Sequence, residues 1–131
     1  MNYKKILKIL LVLGGIIEIA IGLLFFILDF LLEQLRLENI QVFTQMAGTF
    51  ILCYGILLIY SARDIKKFLL IPLLNILARI IMVMFSLLNI FEYPQFFIIL
   101  IFAIPYDLIW SLLMIIFLKL EGIIFKKKSI K

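Results

Sequence analysis

The stretch from Phe68 to Ile90, FLLIPLLNILARIIMVMFSLLNI, decides the fold. It runs for 23 residues with a single charge, Arg79, and follows a basic turn carrying Arg63, Lys66 and Lys67. A helix rises about 1.5 Å per residue, so about 20 apolar residues cross a hydrocarbon core of about 30 Å. Within the stretch Pro72, Asn75, Arg79 and Ser86 stand three, four and seven residues apart. Those spacings bring them to one side of a helix and leave the remaining surface to Leu, Ile, Met and Phe. The stretch therefore reads as a membrane helix whose polar stripe turns inward.

Three further runs of the same kind flank it. Ile9 to Leu28 has 20 residues and one charge, Glu18; Val42 to Tyr60 has 19 and none; Phe96 to Leu118 has 23 and one, Asp107. The whole chain of 131 residues is 66% hydrophobic and 16% charged, with a mean hydropathy of +1.27. Soluble domains are about half apolar and about a quarter charged. The expectation is an all-α membrane protein, a single transmembrane domain over residues 1–131 with spans at about 9–28, 42–60, 68–90 and 96–118. The residues left over for tails and loops are too few for a soluble domain of useful size.

The charges between the spans set an orientation. Lysine plus arginine numbers three before the first span (Lys4, Lys5, Lys8), one in the first loop (Arg36), three in the second (Arg63, Lys66, Lys67), none in the third and five in the tail (Lys119, Lys126, Lys127, Lys128, Lys131). Alternate compartments thus hold eleven against one, and the positive-inside rule predicts an up-down-up-down bundle with both termini and the second loop cytoplasmic, in the plasma (inner) membrane. This bias accounts for the net charge of +5 without a nucleic-acid partner. The partners expected instead are the lipid bilayer, anionic lipid at the basic tail Lys126-Lys127-Lys128, and a membrane protein partner or second copy of the chain. The amino end loosely imitates a secretory signal, but Glu18 and continued hydrophobicity through Leu28 favour a retained span.

Ser61 to Lys67 is short enough to make spans two and three antiparallel neighbours. Tyr93-Pro94 predicts a tight third turn, because the residue before proline is pushed out of helical geometry. Leu31 to Ile40 alternates apolar and charged residues, which extends span one or lays the segment at the outer interface.

With no histidine and one cysteine, the chain lacks the residues for histidine-ligated haem, the usual zinc sites, a Cys-His or Ser-His-Asp nucleophile or an internal disulfide. No catalytic, cofactor or metal residues are therefore assigned, and the chain is read as non-enzymatic. Lone Cys53, in mid-span, is expected to be a buried packing residue.

Chemistry concentrates in three ionisable residues inside the spans. Counted from the cytoplasmic lysines Lys8, Lys67 and Lys119, Glu18, Arg79 and Asp107 lie 10, 12 and 12 residues in, or about 15, 18 and 18 Å, near the membrane midplane. Gly15, Glu18 and Gly22 share one face of the first span, and Ala103, Asp107, Ser111 and Met114 one face of the fourth. In the second, Gln41, Gly48, Gly55 and Ala62 recur every seven residues, a small-residue seam for close helix contact. An isolated charge at a helix centre costs about 2.5–3.5 kcal/mol, so pairing is expected. One cation with two carboxylates leaves a surplus negative charge, answered by protonation, a ligand cation or bound water. Tyr54, Tyr106 and Trp110 lie near the same level and wall the region. The candidate ligand or charge network is Glu18, Tyr54, Asn75, Arg79, Asp107 and Ser111; the competing reading makes the charges structural glue that fixes helix order. Pro105, two residues before Asp107, frees the carbonyl near Ile101.

Gln45-Met46-Ala47-Gly48, Tyr54-Gly55-Ile56 and Ser61-Ala62-Arg63-Asp64 resemble the second helix of the DoxX-like or BphX-like four-helix membrane proteins. That family is typified by a glycine-rich first helix, a glycine every seven residues in the second, and an alanine-arginine-aspartate run at its cytoplasmic end. The usual proline after the aspartate is Ile65 here. The resemblance implies a bundle of about this size and no particular chemistry. A second likeness, to small multidrug resistance transporters, rests on Glu18 in the first helix; those lack counterparts of Arg79 and Asp107. The first functional expectation is an accessory subunit or a binder of a small amphipathic molecule, the alternative a proton-coupled transporter using Glu18, and the third a membrane isomerase or oxidoreductase subunit.

Overall fold

The computed structural model describes residues 2–34, 41–92 and 97–124, and among them every regular element is helical. Helix α1 spans Tyr3–Gln34, α2 Gln41–Ser61, α3 Leu70–Asn89 and α4 Phe97–Leu120. All four are long and apolar enough to cross a membrane. The third turn, at Tyr93-Pro94, and the lysine run Lys126 to Lys128 lie outside the described residues.

The helix ends follow local chemistry. Asn2 caps α1: its Oδ1 accepts from the Lys5 amide at 3.1 Å, and its carbonyl accepts from the Lys5 and Ile6 amides. An asparagine oxygen there satisfies an amide that the first turn leaves without an intrahelical acceptor. This cap starts the helix at Tyr3, six residues before the apolar run at Ile9. Its other end continues to Gln34, so the alternating Leu31 to Ile40 segment begins as helix, and its remainder from residue 35 lies outside the described residues.

Helix α2 ends where the Ser61 hydroxyl donates to the Leu58 carbonyl at 2.7 Å, and the Ala62 amide is shared between the Leu58 and Ile59 carbonyls. Asp64 then accepts from the Lys67 amide at 3.2 Å, and the Arg63 guanidinium lies 5.3 Å from the centre of the Tyr60 ring. Pro72 falls in the first turn of α3, where its missing amide removes no intrahelical bond. Pro105 sits inside α4. That helix stops at Gly122, whose φ of 67° places it in the left-handed region. The Ile123 amide reaches back to the Leu118 carbonyl and the Gly122 amide to the Lys119 carbonyl, the paired bonds of a Schellman cap.

The helices pack as two compact units. One comprises Lys8–Lys67; the other comprises Met1–Leu7 with Phe68–Lys131. In the first, α1 and α2 approach backbone to backbone. A Cβ built on Gly15 would stand 2.5 Å from the Gly55 carbonyl oxygen, and one on Gly22 would stand 2.7 Å from the Gly48 carbonyl oxygen. Seven residues forward along α1 match seven backward along α2, so the two helices are antiparallel. In the second unit α3 packs on α4. The amino end of α1 joins it through Tyr3, whose ring centre lies 6.5 Å from that of Phe117. Leu7, Met114 and Leu118 are fully buried there.

Candidate functional site

Helix α3 turns Pro72, Asn75, Ile76, Arg79, Val83 and Ser86 inward, one row at helical spacing. Asn75 and Arg79 are one turn apart, so their side chains meet on the helix surface. Asn75 Oδ1 accepts from Arg79 Nε at 2.9 Å. From there the guanidinium crosses to α4, where Nη1 donates to Asp107 Oδ1 at 2.6 Å. This is a charge-assisted bond between two groups at the middle of their helices, Arg79 being 6% exposed and Asn75 2%.

Two aromatic rings of α4 complete the surroundings of the guanidinium. Its carbon lies 5.0 Å from the centre of the Tyr106 ring and 5.8 Å from that of Trp110. Both distances fall within the about 6 Å over which a ring face attracts a cation. The two rings are themselves in contact, 5.9 Å between centres at 33°. Helical geometry again explains the set: Tyr106 and Trp110 are one turn apart and flank Asp107, so α4 offers one cation a carboxylate and two ring faces together.

Ser111 stands one turn beyond Asp107. It is 3% exposed, and its Oγ has no hydrogen-bond partner among the described residues. Asp107 is more open than Asn75, Arg79 or Ser111, with 16% of its side-chain surface exposed. The ion pair engages its Oδ1, leaving Oδ2 outside that bond.

Of the six side chains singled out from the sequence, Asn75, Arg79, Asp107 and Ser111 belong to the α3–α4 unit, where the first three are bonded in a chain. Glu18 and Tyr54 belong to the α1–α2 unit. Glu18 is buried on the face of α1 that carries Gly15 and Gly22, and its carboxylate and the Tyr54 phenol are electrostatic neighbours. Among the described residues, no three of the Cys, Asp and Glu side chains gather in a way that would hold a metal ion.

Two features differ from, or go beyond, the sequence reading. Tyr106 and Trp110 present their faces to Arg79 rather than serving only as apolar wall; their shared spacing around Asp107 is the signal that marks them. Cys53, expected as a buried packing residue, is exposed. The seam of α2 runs through Gly48, Gly55 and Ala62, and position 53 lies off it; an apolar side chain facing hydrocarbon carries no desolvation cost.

No family model, curated protein or solved structure matches the chain. The likeness to the DoxX-like bundles rests on the motif residues alone.

Proposed function

We propose that the chain is an integral protein of the plasma (inner) membrane, with both termini cytoplasmic, that binds a small amphipathic molecule without chemical conversion, alone or as an accessory subunit of a membrane complex. The observation that carries this reading is the buried Asn75–Arg79–Asp107 chain with Tyr106 and Trp110 on the guanidinium. Ionisable groups in the middle of membrane helices are expensive and mark functional sites by default. Here they sit beside two amphipathic aromatic rings and a carboxylate that is still partly exposed. An amphiphile in the bilayer reaches such a centre with its apolar body in lipid and its polar end at Asp107.

The chain's single tryptophan is Trp110, so its emission reports this centre directly. Purified protein in phosphatidylcholine nanodiscs, titrated with single-chain amphiphiles of different head groups, should show a saturable change in that emission with at least one of them. A strictly proportional, non-saturating response to every probe would defeat the binding reading. Orientation follows from the eleven-to-one charge count: reporters fused at the amino end, at Arg63 and at the tail should all read cytoplasmic.

Glu18, buried at mid-helix beside Tyr54, supports a second reading as the carboxyl of a proton-coupled transporter. In that case vesicles carrying a proton gradient should show proton movement on addition of a lipophilic cation, and Glu18→Gln should abolish it.

A further inference from the structure

Resting on the binding reading above, we infer that the molecule held at the α3–α4 centre carries a neutral hydroxyl as its polar end, placed between Asp107 and Ser111. Two complementary groups stand one turn apart on α4. Asp107 Oδ2 is an acceptor outside the Arg79 ion pair, on a side chain that is still partly exposed. Ser111 Oγ is a buried donor that meets no acceptor among the described residues. A buried hydroxyl without a partner is costly, and native structures answer such a group with a ligand or a bound water.

Spacing and charge both select the head group. Side chains four residues apart on a helix have Cβ atoms about 5–6 Å apart. Two O–H···O bonds of about 2.7–2.8 Å that meet at one tetrahedral oxygen join atoms about 4.5 Å apart, a separation within reach of side chains so placed. That oxygen must donate to a carboxylate and accept from a serine hydroxyl, which an alcohol does. A ketone or ether accepts from Ser111 but turns lone pairs toward Asp107. An ammonium head would stand beside the Arg79 guanidinium, and a carboxylate head beside Asp107. Either sets like charges close together in a medium of low dielectric, where repulsion is strongest. Trp110 lies between Asp107 and Ser111 in sequence, half-buried, and offers its ring to the first carbons of the chain.

The test uses the full chain in phosphatidylcholine nanodiscs, whose lipids carry no hydroxyl, with Trp110 emission as the readout. Four probes of equal chain length are compared at equal mole fraction in the lipid: dodecan-1-ol, dodecyl methyl ether, dodecylammonium and dodecanoate. The alcohol should reach half-saturation at a mole fraction about tenfold lower than the ether, the value of one hydrogen bond. Ser111→Ala should erase about that factor while leaving the helicity and unliganded emission unchanged. Saturable binding with no preference for the alcohol overturns the hydroxyl assignment and leaves the binding reading standing. An undiminished preference in Ser111→Ala also overturns it, because the hydroxyl is then recognised without Ser111. Absence of saturation with all four probes brings down both readings.

Discussion

The two helix pairs solve one problem by opposite means. Between α1 and α2 the contact is backbone against backbone, with glycine facing glycine at two levels seven residues apart. Between α3 and α4 it is side chain against side chain, centred on Arg79 and Asp107. In water either pair would be driven together by burying apolar surface; in lipid that drive is absent, because the surroundings are as apolar as the helices. What remains is close packing, which needs small residues, and polar bonding, which needs groups that hydrocarbon cannot satisfy. The contrast teaches where each pair is vulnerable: α1–α2 to any added atom, α3–α4 to the loss of one charge.

The largest expected effect is on the charge pair. Arg79→Leu leaves Asp107 without its cation, and removing one member of a buried pair costs about 3–5 kcal/mol. Replacing both, as Arg79→Leu with Asp107→Leu, should recover part of that loss, since the desolvated carboxylate goes too. A reversible unfolding titration in SDS measures each corner of the cycle. Strictly additive losses would mean that the 2.6 Å bond contributes no coupling and would remove the contrast between the pairs.

Next comes the seam. Gly22→Ala places a methyl group 2.7 Å from both the Gly48 carbonyl oxygen and the Leu52 amide nitrogen, main-chain atoms that no rotamer change can move aside. Overpacking of this kind costs about 1–3 kcal/mol. The same titration should show that loss, and Gly55→Ala should show one of similar size, its methyl group standing 2.6 Å from the Gly15 carbonyl oxygen. An unchanged midpoint in both would mean that α1 and α2 part easily and are not held by their backbones.

A smaller effect belongs to the cap of α4. Gly122 has a φ of 67° with no atom of the described residues near its missing side chain, so Gly122→Ala meets the backbone cost of the left-handed region, about 1–2 kcal/mol. Because the cap lies at the far end of α4, about four turns beyond Asp107, this loss should add to that of Arg79→Leu. A non-additive result would tie the helix end to the charge centre.

Run length made the helices legible in the sequence, because a 23-residue apolar stretch with one arginine has few other uses. The row from Pro72 to Ser86 and the seven-residue glycine spacing were legible for the same reason: one helix carries its own period. What no single helix carries is the choice of partner. Nothing in the spacing of either span says that Asp107 bonds Arg79 through Nη1. Nor does the spacing of α2 say that Gly55 meets Gly15 and Gly48 meets Gly22, which depends on how two antiparallel helices slide past each other. The apolar run from Ile9 marks the part of α1 that can lie in hydrocarbon, and the helix itself begins earlier, at its asparagine cap, because Lys4 and Lys5 are helical without being apolar. Cys53 was misassigned by a rule for water-soluble cores, where apolar means buried.

The smallest expected effect sets two serines against each other, one in each unit. Ser61 is fully buried, and its hydroxyl donates to the Leu58 carbonyl. Ser111 is also buried, and its hydroxyl meets no partner among the described residues. Ser61→Ala removes a bond made within its own helix and should cost about 0.5–1.5 kcal/mol. Ser111→Ala removes a group whose desolvation no bond among the described residues answers, so the empty protein should lose no stability. If both variants lose the same stability in alcohol-free lipid, Ser111 is satisfied in the resting protein and its hydroxyl serves packing, as Ser61 does. If Ser111→Ala is neutral there and falls behind the parent chain only when dodecan-1-ol is present, linkage supplies the explanation: a ligand that binds the folded state stabilises it in proportion to its occupancy, and the variant has lost that share. The difference between the two serines then measures what separates a hydroxyl that closes a helix from one that is kept open for a guest.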